Sequence, residues 1–585
     1  MKHLAIAMFA AAALVAAAGT MAQKRTPGAD SPKPQWMKNA VIYEANLRQG
    51  TKTRDLKGMQ LEIPRLKNLG VDIIWLMPVH PISEKNRKGT LGSYYAVKDY
   101  KAVNPEFGTM EDLREFVRTA HAHGMKVILD EVCNHTGCDN AWVTEHPEYY
   151  ARNEKGEMFG PFDWTDTYKL DYSNPATRAA MIDVLKFWIR EADIDGYRCD
   201  VAGEVPVDFW EEARPQLQAI KPVFMLAESA TPSLMKKAFD ADYAWPMKDV
   251  FNAIAATKGV NGYAVEKKLD LPKMTAADIP ALIERQKTEY PRGSVHMNMI
   301  TNHDLNSWEG TEFERFGPAT GAFAALSYTL PGMPMLYTGQ ETGFNHAFQF
   351  FERDSIQPDY TENEFTAFYK ILNALKRHNT ALGTDERIEN TNFISTYDPD
   401  VLTFTRQNGK DKIFVTVNLS NTVSPLSFGR REPYLVGLRD IFSGEEAALP
   451  KMLQPWQYII LSTPYDGMTP PPAVTTGHTT SLSGSYRVKA TTLDSGARLR
   501  ELAHAKSGHT PAYRATPETA AAAAATSDAS SVSATNDVAA SVGTSAGKST
   551  AGFGGFNLAK PDTIRKPVKN IRKASAEPKF RHVSK

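Results

Sequence analysis

The sequence predicts a (β/α)8 barrel, a TIM barrel, followed by a smaller antiparallel β-sandwich domain. Three observations carry that expectation. Residues 40 to 380 repeat one theme: a short, almost continuously apolar run, a loop, and an amphipathic helical stretch. Strands that are apolar on both faces belong to parallel sheets covered by helices. Eight such runs occur, the number that closes a barrel. Beyond about residue 385 the chain changes to runs that alternate apolar and polar residues, as an antiparallel sheet requires.

The chain opens on MKHLAIAMFAAAALVAAAGTMAQ, with a short basic start, an apolar run from Leu4 to Ala18 and small residues suited to cleavage near Ala22. This reads as a secretory signal peptide over 1–22, so the mature protein is expected to be periplasmic or secreted. The apolar run is too short to span a bilayer comfortably and nothing like it follows, so no transmembrane segment is expected.

The barrel is placed over 36–384. Its runs are AVIYEANL (40–47), VDIIWLMPV (71–79), MKVILDEV (125–132), DGYRCDV (195–201), PVFMLAES (222–229), the weaker DYAWPM (242–247), HMNMITNHD (296–304) and MPMLYTGQE (333–341). Between them, TMEDLREFVRTAHAHG (109–124) opens on a Thr N-cap with an acidic first turn. It carries Leu113, Phe116, Val117 and Ala120 at helical spacing and stops at Gly124. NPATRAAMIDVLKFWIREA (174–192) has Pro175 in its first turn. A doubly wound open sheet is the rival, but no Gly-rich phosphate fingerprint follows the first strand.

About forty residues separate the third run from the helix at Pro175, long enough to carry a job or a structure of their own. This insertion, about 137–172, leaves the C-terminal end of a barrel strand and should overhang the active-site face. After the barrel, VLTFTRQ (401–407), DKIFVTVNLS (411–420), YLVGLRDIFSG (434–444) and WQYIILS (456–462) form the β domain at 385–463, with Asn408-Gly409 turning the first pair. Residues 464–585 are Pro-rich, then Ala/Ser/Thr-rich, then basic, a composition that cannot bury enough apolar surface to offset chain entropy.

A chain of 585 residues, 42% apolar and 10% aromatic, is ample for two folded domains. Lys+Arg and Asp+Glu balance at 67 each, which gives no reason to expect nucleic acid as a partner. Cys133, Cys138 and Cys199 are too few for a disulfide framework and lack zinc-site spacing; buried, inert thiols are expected, with at most one bridge.

Polar residues that matter in such a barrel lie at the C-terminal ends of strands. The third run ends in Asp130, Asn134 and His135, the fourth in Arg198 and Asp200, the fifth in Glu228, and the seventh in Asn302, His303 and Asp304. Arg198 and Asp200 share a strand face, with Cys199 turned to the other, so the guanidinium is expected to lower the Asp200 pKa and keep it ionised as a nucleophile. Glu228 follows Phe224, Met225, Leu226 and Ala227; apolar surroundings and a nearby anion should raise its pKa and make it an acid. Carboxylates on adjacent parallel strands should sit at the roughly 5 to 5.5 Å of retaining glycosidases.

The ordered set DEVCNH, DGYRCD, LAES and TNHD resembles the sequence regions of glycoside hydrolase family 13, the α-amylase family. GSYYAVKDY, KLDYSNP and GMPMLYTGQE match as well, and the resemblance covers roughly residues 36 to 463. It implies Asp200 as nucleophile, Glu228 as general acid/base, and Asp304 as the carboxylate that stabilises the transition state through the sugar hydroxyls. It further implies that His135 and His303 hydrogen-bond the reacting glucose, that Arg198 flanks the nucleophile, that Tyr95 is the aromatic on which the sugar stacks, and that Asp130 supports the site through Arg198. The long third loop becomes a short domain B. The expected activity is retaining hydrolysis of α-1,4-glucosidic bonds in starch or maltodextrins. A transglycosylase or isomerase of the same family is the alternative, and a non-catalytic glucan-binding protein the remote one.

The sequence departs from the family pattern at Gly203 and Glu204, where many α-amylases carry a Lys-His pair toward the leaving group. Trp142, Trp164 and Tyr168 in domain B are candidates for stacking on glucan rings. No cofactor is required for the chemistry. A structural Ca²⁺ is left open, with Asn134 as its candidate ligand and Asp163 and Asp166 offering further oxygens.

Overall fold

A computed structural model of the protein describes residues 33–468, apart from 385–389, 429–431 and 447–448, all within one compact unit. The signal segment expected at 1–22 lies outside the described residues, as does the tail beyond 468. Among the described residues no helix is long and apolar enough to cross a membrane.

Eight parallel strands close into a barrel in sequence order: β1 (Ile42–Ala45), β2 (Ile73–Leu76), β3 (Lys126–Glu131), β4 (Gly196–Cys199), β5 (Phe224–Ala227), β6 (Ala241–Tyr243), β7 (His296–Asn298) and β8 (Met333–Tyr337), with β8 pairing back to β1. Every one of the eight apolar runs contributes one strand. Their side chains are buried almost throughout, as expected of strands between a filled interior and a coat of helices. The sixth run shows a boundary that periodicity could not place. Its strand ends at Tyr243 and a helix starts at Trp245, with Pro246 in the first turn, where a missing N–H costs nothing.

The two helices chosen from pattern form as α1 (Met110–Ala122) and α2 (Pro175–Ala192). Thr109 and Asp112 make a reciprocal capping box, and the buried face of α1 is Leu113, Phe116, Val117 and Ala120. Gly196 opens β4 at φ +149°, where a Cβ would stand 1.9 Å from the Phe224 carbonyl oxygen. Only glycine lets β4 and β5 approach there, and that contact brings the two strand ends carrying Asp200 and Glu228 side by side.

Between β3 and α2 the chain makes a small antiparallel pair, His135–Gly137 with Thr167–Lys169. Beyond the barrel, β9 (Thr391–Phe393), β10 (Val401–Asn408), β11 (Asp411–Asn418), β12 (Arg439–Asp440) and β13 (Tyr458–Ser462) form a sheet in the order β9-β10-β11-β13-β12. A second, two-stranded sheet pairs Ser424–Pro425 with Met452–Leu453. Asn408 pairs with Asp411, so the turn is centred on Gly409 and Lys410, one residue later than the Asn-Gly signal suggests. The expected strand over 434–444 shrinks to Arg439–Asp440, because Pro433 and a left-handed Gly437 interrupt it and leave Tyr434 and Val436 exposed.

Candidate active site

The site stands on the register of the barrel. Asp130 and Arg198 are partners across β3 and β4, while Arg198 pairs with Leu226 and Cys199 with Ala227 across β4 and β5. The ladder continues one residue past each strand: the Asp200 amide donates to the Glu131 carbonyl at 3.0 Å and the Glu228 amide to the Cys199 carbonyl at 3.0 Å. Asp200 and Glu228 therefore stand on adjacent strand ends as anchored residues rather than as parts of free loops.

Arg198, fully buried, is the hub. Its Nη1 donates to Asp130 Oδ1 at 2.8 Å and to Asp200 Oδ1 at 2.9 Å, and its Nε to the Tyr243 hydroxyl at 3.0 Å. Its Nη2 lies 2.9 Å from Glu228 Oε2, an ion-pair distance without hydrogen-bond alignment. The guanidinium also faces the rings of Trp75 and Tyr95 at 5.2 and 5.6 Å. Asp130 accepts further bonds on Oδ2 from Trp75 Nε1 at 3.2 Å and from the Tyr95 hydroxyl at 3.0 Å. Asp130 thus touches Arg198 directly, the contact through which the sequence expects it to act.

One guanidinium thus sits among three buried carboxyls, and its charge cannot satisfy all of them. Burial pushes Asp200 upward and Arg198 pulls it back without reversing the shift. The expected lowering of Asp200 by its arginine is corrected here, because desolvation outweighs one shared cation. Glu228 is also raised, by burial and then by the charge of Asp200. The charge of Asp200 disfavours ionisation of Glu228, so the pair holds on to a proton more readily than an isolated carboxyl would. Val201, next to Asp200, is held at φ +37° and donates its amide to Glu228 Oε2 at 2.8 Å.

Asp304 sits in the second position of a helix, α3 (His303–Trp308), whose N-cap is Asn302. Burial and the neighbouring carboxylates Glu228 and Asp200 raise it to about 6, opposed by His303 and Arg198. Its side chain is 38% exposed, so water in the mouth offsets part of that shift. His303 Nε2 lies 3.2 Å from Asp304 Oδ2 and 2.8 Å from the Tyr95 hydroxyl. Tyr95 packs parallel to His303 and to Phe350, whereas its neighbour Tyr94 points elsewhere, donating to Asn46 Oδ1 under the Arg48 guanidinium. Tyr95 is the tyrosine of that pair that belongs to the site. Burial lowers His135 to about 4, and Asn134 Nδ2 faces its Nδ1 at 3.3 Å, so the ring is neutral with its proton on Nε2.

Domain B separates the three aromatic candidates. Trp142 packs on Tyr149 of the subdomain and on Tyr100 of the barrel's β2–α1 loop, and Tyr168 on Tyr150. Trp164 instead lies 5.2 Å from the His135 ring and 4.9 Å from Phe162, whose side chain is 64% exposed on a left-handed backbone. Facing residues came from places sequence patterning did not mark. Phe350 stacks on Tyr95, and Trp308 packs on both Phe350 and Phe351. Glu44, fully buried at the end of β1, holds His303 from below. Its signal was a lone carboxylate inside the apolar run AVIYEANL.

The oxygens considered for calcium do not form a cradle. Asp166 Oδ1 lies 3.4 Å from Lys88 Nζ, the Asp163 carbonyl accepts from the same ammonium at 3.5 Å, and the Asn134 amide is turned to His135. A lysine already supplies a positive charge beside these oxygens. Glu204 pairs with Lys169 of domain B at 3.6 Å. All three cysteines are unpaired and buried, and burial pushes the Cys133 and Cys199 thiols well up.

The sequence model of the α-amylase catalytic domain matches residues 42–384. Alpha-amylase 3 of Dictyoglomus thermophilum is 24% identical over 494 residues, covering 73% of this chain and 94% of its own. A cyclomaltodextrinase of Geobacillus thermopakistaniensis is 26% identical over 438 residues, covering 69% and 70%. Among solved structures, an α-amylase from Lactobacillus plantarum superposes with a TM-score of 0.62 at 27% identity, covering 73% of this chain and 99% of that one.

Proposed function

The chain belongs to the α-amylase family of glycoside hydrolases, family 13, and from that premise we propose that it is a secreted or periplasmic retaining enzyme that hydrolyses α-1,4-glucosidic bonds of starch or maltodextrins. One observation carries the reading: Asp200 and Glu228 each place an oxygen 2.9 Å from a nitrogen of the same guanidinium. Two carboxyls on adjacent strand ends, gathered by one guanidinium, support the roughly 5 to 5.5 Å separation of retaining enzymes over the roughly 6.5 to 9.5 Å at which an inverting enzyme seats a water between its pair.

In this reading Glu228, as the acid, delivers a proton to the glycosidic oxygen while the Asp200 carboxylate attacks the anomeric carbon. Glu228, now ionised, removes a proton from water, whose oxygen displaces Asp200 and releases the sugar as the α-anomer. Asp304, His135 and His303 line the same mouth and bind the hydroxyls of the reacting ring. Relatives named as amylases, maltogenic amylases and cyclomaltodextrinases support α-glucans as the substrate class.

Products from maltoheptaose and soluble starch, followed by NMR, test the reading. The α-anomer is expected first, and initial β-anomer would overturn retention. Oligosaccharides longer than maltoheptaose would show transfer to sugar in place of water. Asp200→Asn is expected to abolish turnover, and substantial residual activity would show that another group is the nucleophile.

A further inference from the structure

His303 reaches the mouth of the barrel through its Nε2, but the atoms behind it decide what that nitrogen can do. Its Nδ1 is hydrogen-bonded to Glu44 Oε1, and its backbone N–H donates to Glu44 Oε2 at 3.3 Å. Neither side chain has appreciable exposure, and among the described residues the Glu44 carboxyl makes no ion pair with a lysine or arginine.

The proton count on the far side is constrained. Burial raises Asp130, but its two oxygens already face the donors Arg198 Nη1, Trp75 Nε1 and the Tyr95 hydroxyl, which leaves no acceptor for a proton of its own, so the single Tyr95 hydroxyl proton points to Asp130. The Tyr95 oxygen therefore faces His303 Nε2 at 2.8 Å as an acceptor, and the Asp304 carboxylate faces the same nitrogen at 3.2 Å as another. With two acceptors in front of it, Nε2 must carry hydrogen. Both side chains are buried, where a separated charge pair costs more than the neutral pair, and burial lowers the His303 pKa in the same sense, so the ring is neutral and its Nδ1 has no proton to give. The hydrogen between Nδ1 and Glu44 then belongs to Glu44.

We propose that Glu44 is a positioning residue kept as the neutral carboxylic acid: its Oε1–H donates to His303 Nδ1 and its Oε2 accepts the His303 backbone N–H, fixing the imidazole as the Nε2–H tautomer that donates to the Tyr95 oxygen and, once substrate is bound, to a hydroxyl of the sugar. Burial raises Glu44 well above the ordinary carboxylate range, in the same direction. The role in sugar binding rests on the glycosidase reading above, whereas the protonation state of Glu44 does not.

The test is a pair of substitutions with a spectroscopic readout. Glu44→Gln preserves the pattern, since an amide NH₂ donates to Nδ1 and its carbonyl accepts the backbone N–H; kcat/KM and its pH profile are expected to stay within about twofold of wild type. Glu44→Ala leaves the ring free to change tautomer, and kcat/KM should fall about 10- to 100-fold, the range typical when a histidine loses the partner that orients it. A Glu44→Gln enzyme as impaired as Glu44→Ala would mean an ionised Glu44 and overturn the proposal; unimpaired Glu44→Ala would overturn it as well. Should Glu44→Ala not fold, the infrared difference between wild type and Glu44→Gln decides without activity: a carboxylic-acid C=O band lost on substitution supports the neutral acid, and a carboxylate band lost in its place refutes it. A wild type inert on α-glucans would defeat the functional reading while leaving that spectrum interpretable.

Discussion

Arg198 and Asp130 are joined Nη1 to Oδ1 at 2.8 Å with neither side chain exposed to water. Such a pair is weak evidence for stability as built, but removing one partner strands the other. Asp130→Ala would leave Trp75 Nε1, the Tyr95 hydroxyl and one arm of Arg198 without their acceptor. The expected loss is about 3 to 5 kcal/mol, measured by urea unfolding. The released guanidinium would also bind Asp200 and Glu228 more tightly, so kcat should fall further than stability alone explains. A loss under about 1 kcal/mol would show that Arg198 is satisfied without Asp130.

The pH profile follows from the carboxyls in the mouth. Burial and like charges raise Asp304 to about 6, so it gains a proton and loses its charge as pH falls through that region. Its partial exposure places the actual midpoint between the ordinary carboxylate range, near 4, and 6. The acid limb of kcat/KM is therefore expected above pH 4. Glu228 is raised as well, so its acid form persists at higher pH and the alkaline limb marks its loss. A kcat/KM flat from pH 6 down to 4 would remove Asp304 from any charge-dependent role.

Trp164 and Trp142 should separate binding from stability. Trp164 lies between His135 and the exposed Phe162, so Trp164→Ala is expected to raise KM for maltodextrins about fivefold, equivalent to about 1 kcal/mol of stacking, with little change in Tm. Trp142 fills the packing between Tyr100 and Tyr149, and Trp142→Ala should lower Tm while leaving KM near wild type once the protein is folded. Steady-state kinetics and thermal melts on both variants check the pair. The reverse pattern would move the glucan contact to Trp142.

These outcomes mark where the sequence was legible. Strand ends were, because period-two faces and apolar runs are local properties: Asp130, Arg198, Asp200 and Glu228 converge as their strand positions imply. The sign of the Asp200 shift was not, because it depends on how many carboxyls share one arginine and how little water reaches them. Phe350 and Trp308 were missed since they come from segments without periodicity, brought to Tyr95 by the chain beyond β8 and the short helix α3. Glu44 lay within a strand already marked, but its meaning needs His303, 259 residues away in sequence. The strand expected over 434–444 failed where Pro433 and Gly437 overrode side chains of high β propensity.

Lys88 makes the final prediction. Its ammonium stands 3.4 Å from the buried Asp166 and 3.5 Å from the Asp163 carbonyl, where a divalent cation would otherwise have to bind. The chelator EDTA is therefore expected to leave Tm and kcat unchanged, and a drop in either would show that a metal is held after all. Lys88→Ala leaves the Asp166 carboxylate buried without its partner, at a cost of about 1 to 3 kcal/mol. Because the lysine is itself 29% exposed, water entering the gap holds the loss near the lower end of that range. The variant exposes a charge that a cation can neutralise, so millimolar Ca²⁺ should restore part of the lost Tm in Lys88→Ala and none in wild type. Equal calcium response in both proteins would show that Lys88 does not take the cation's place.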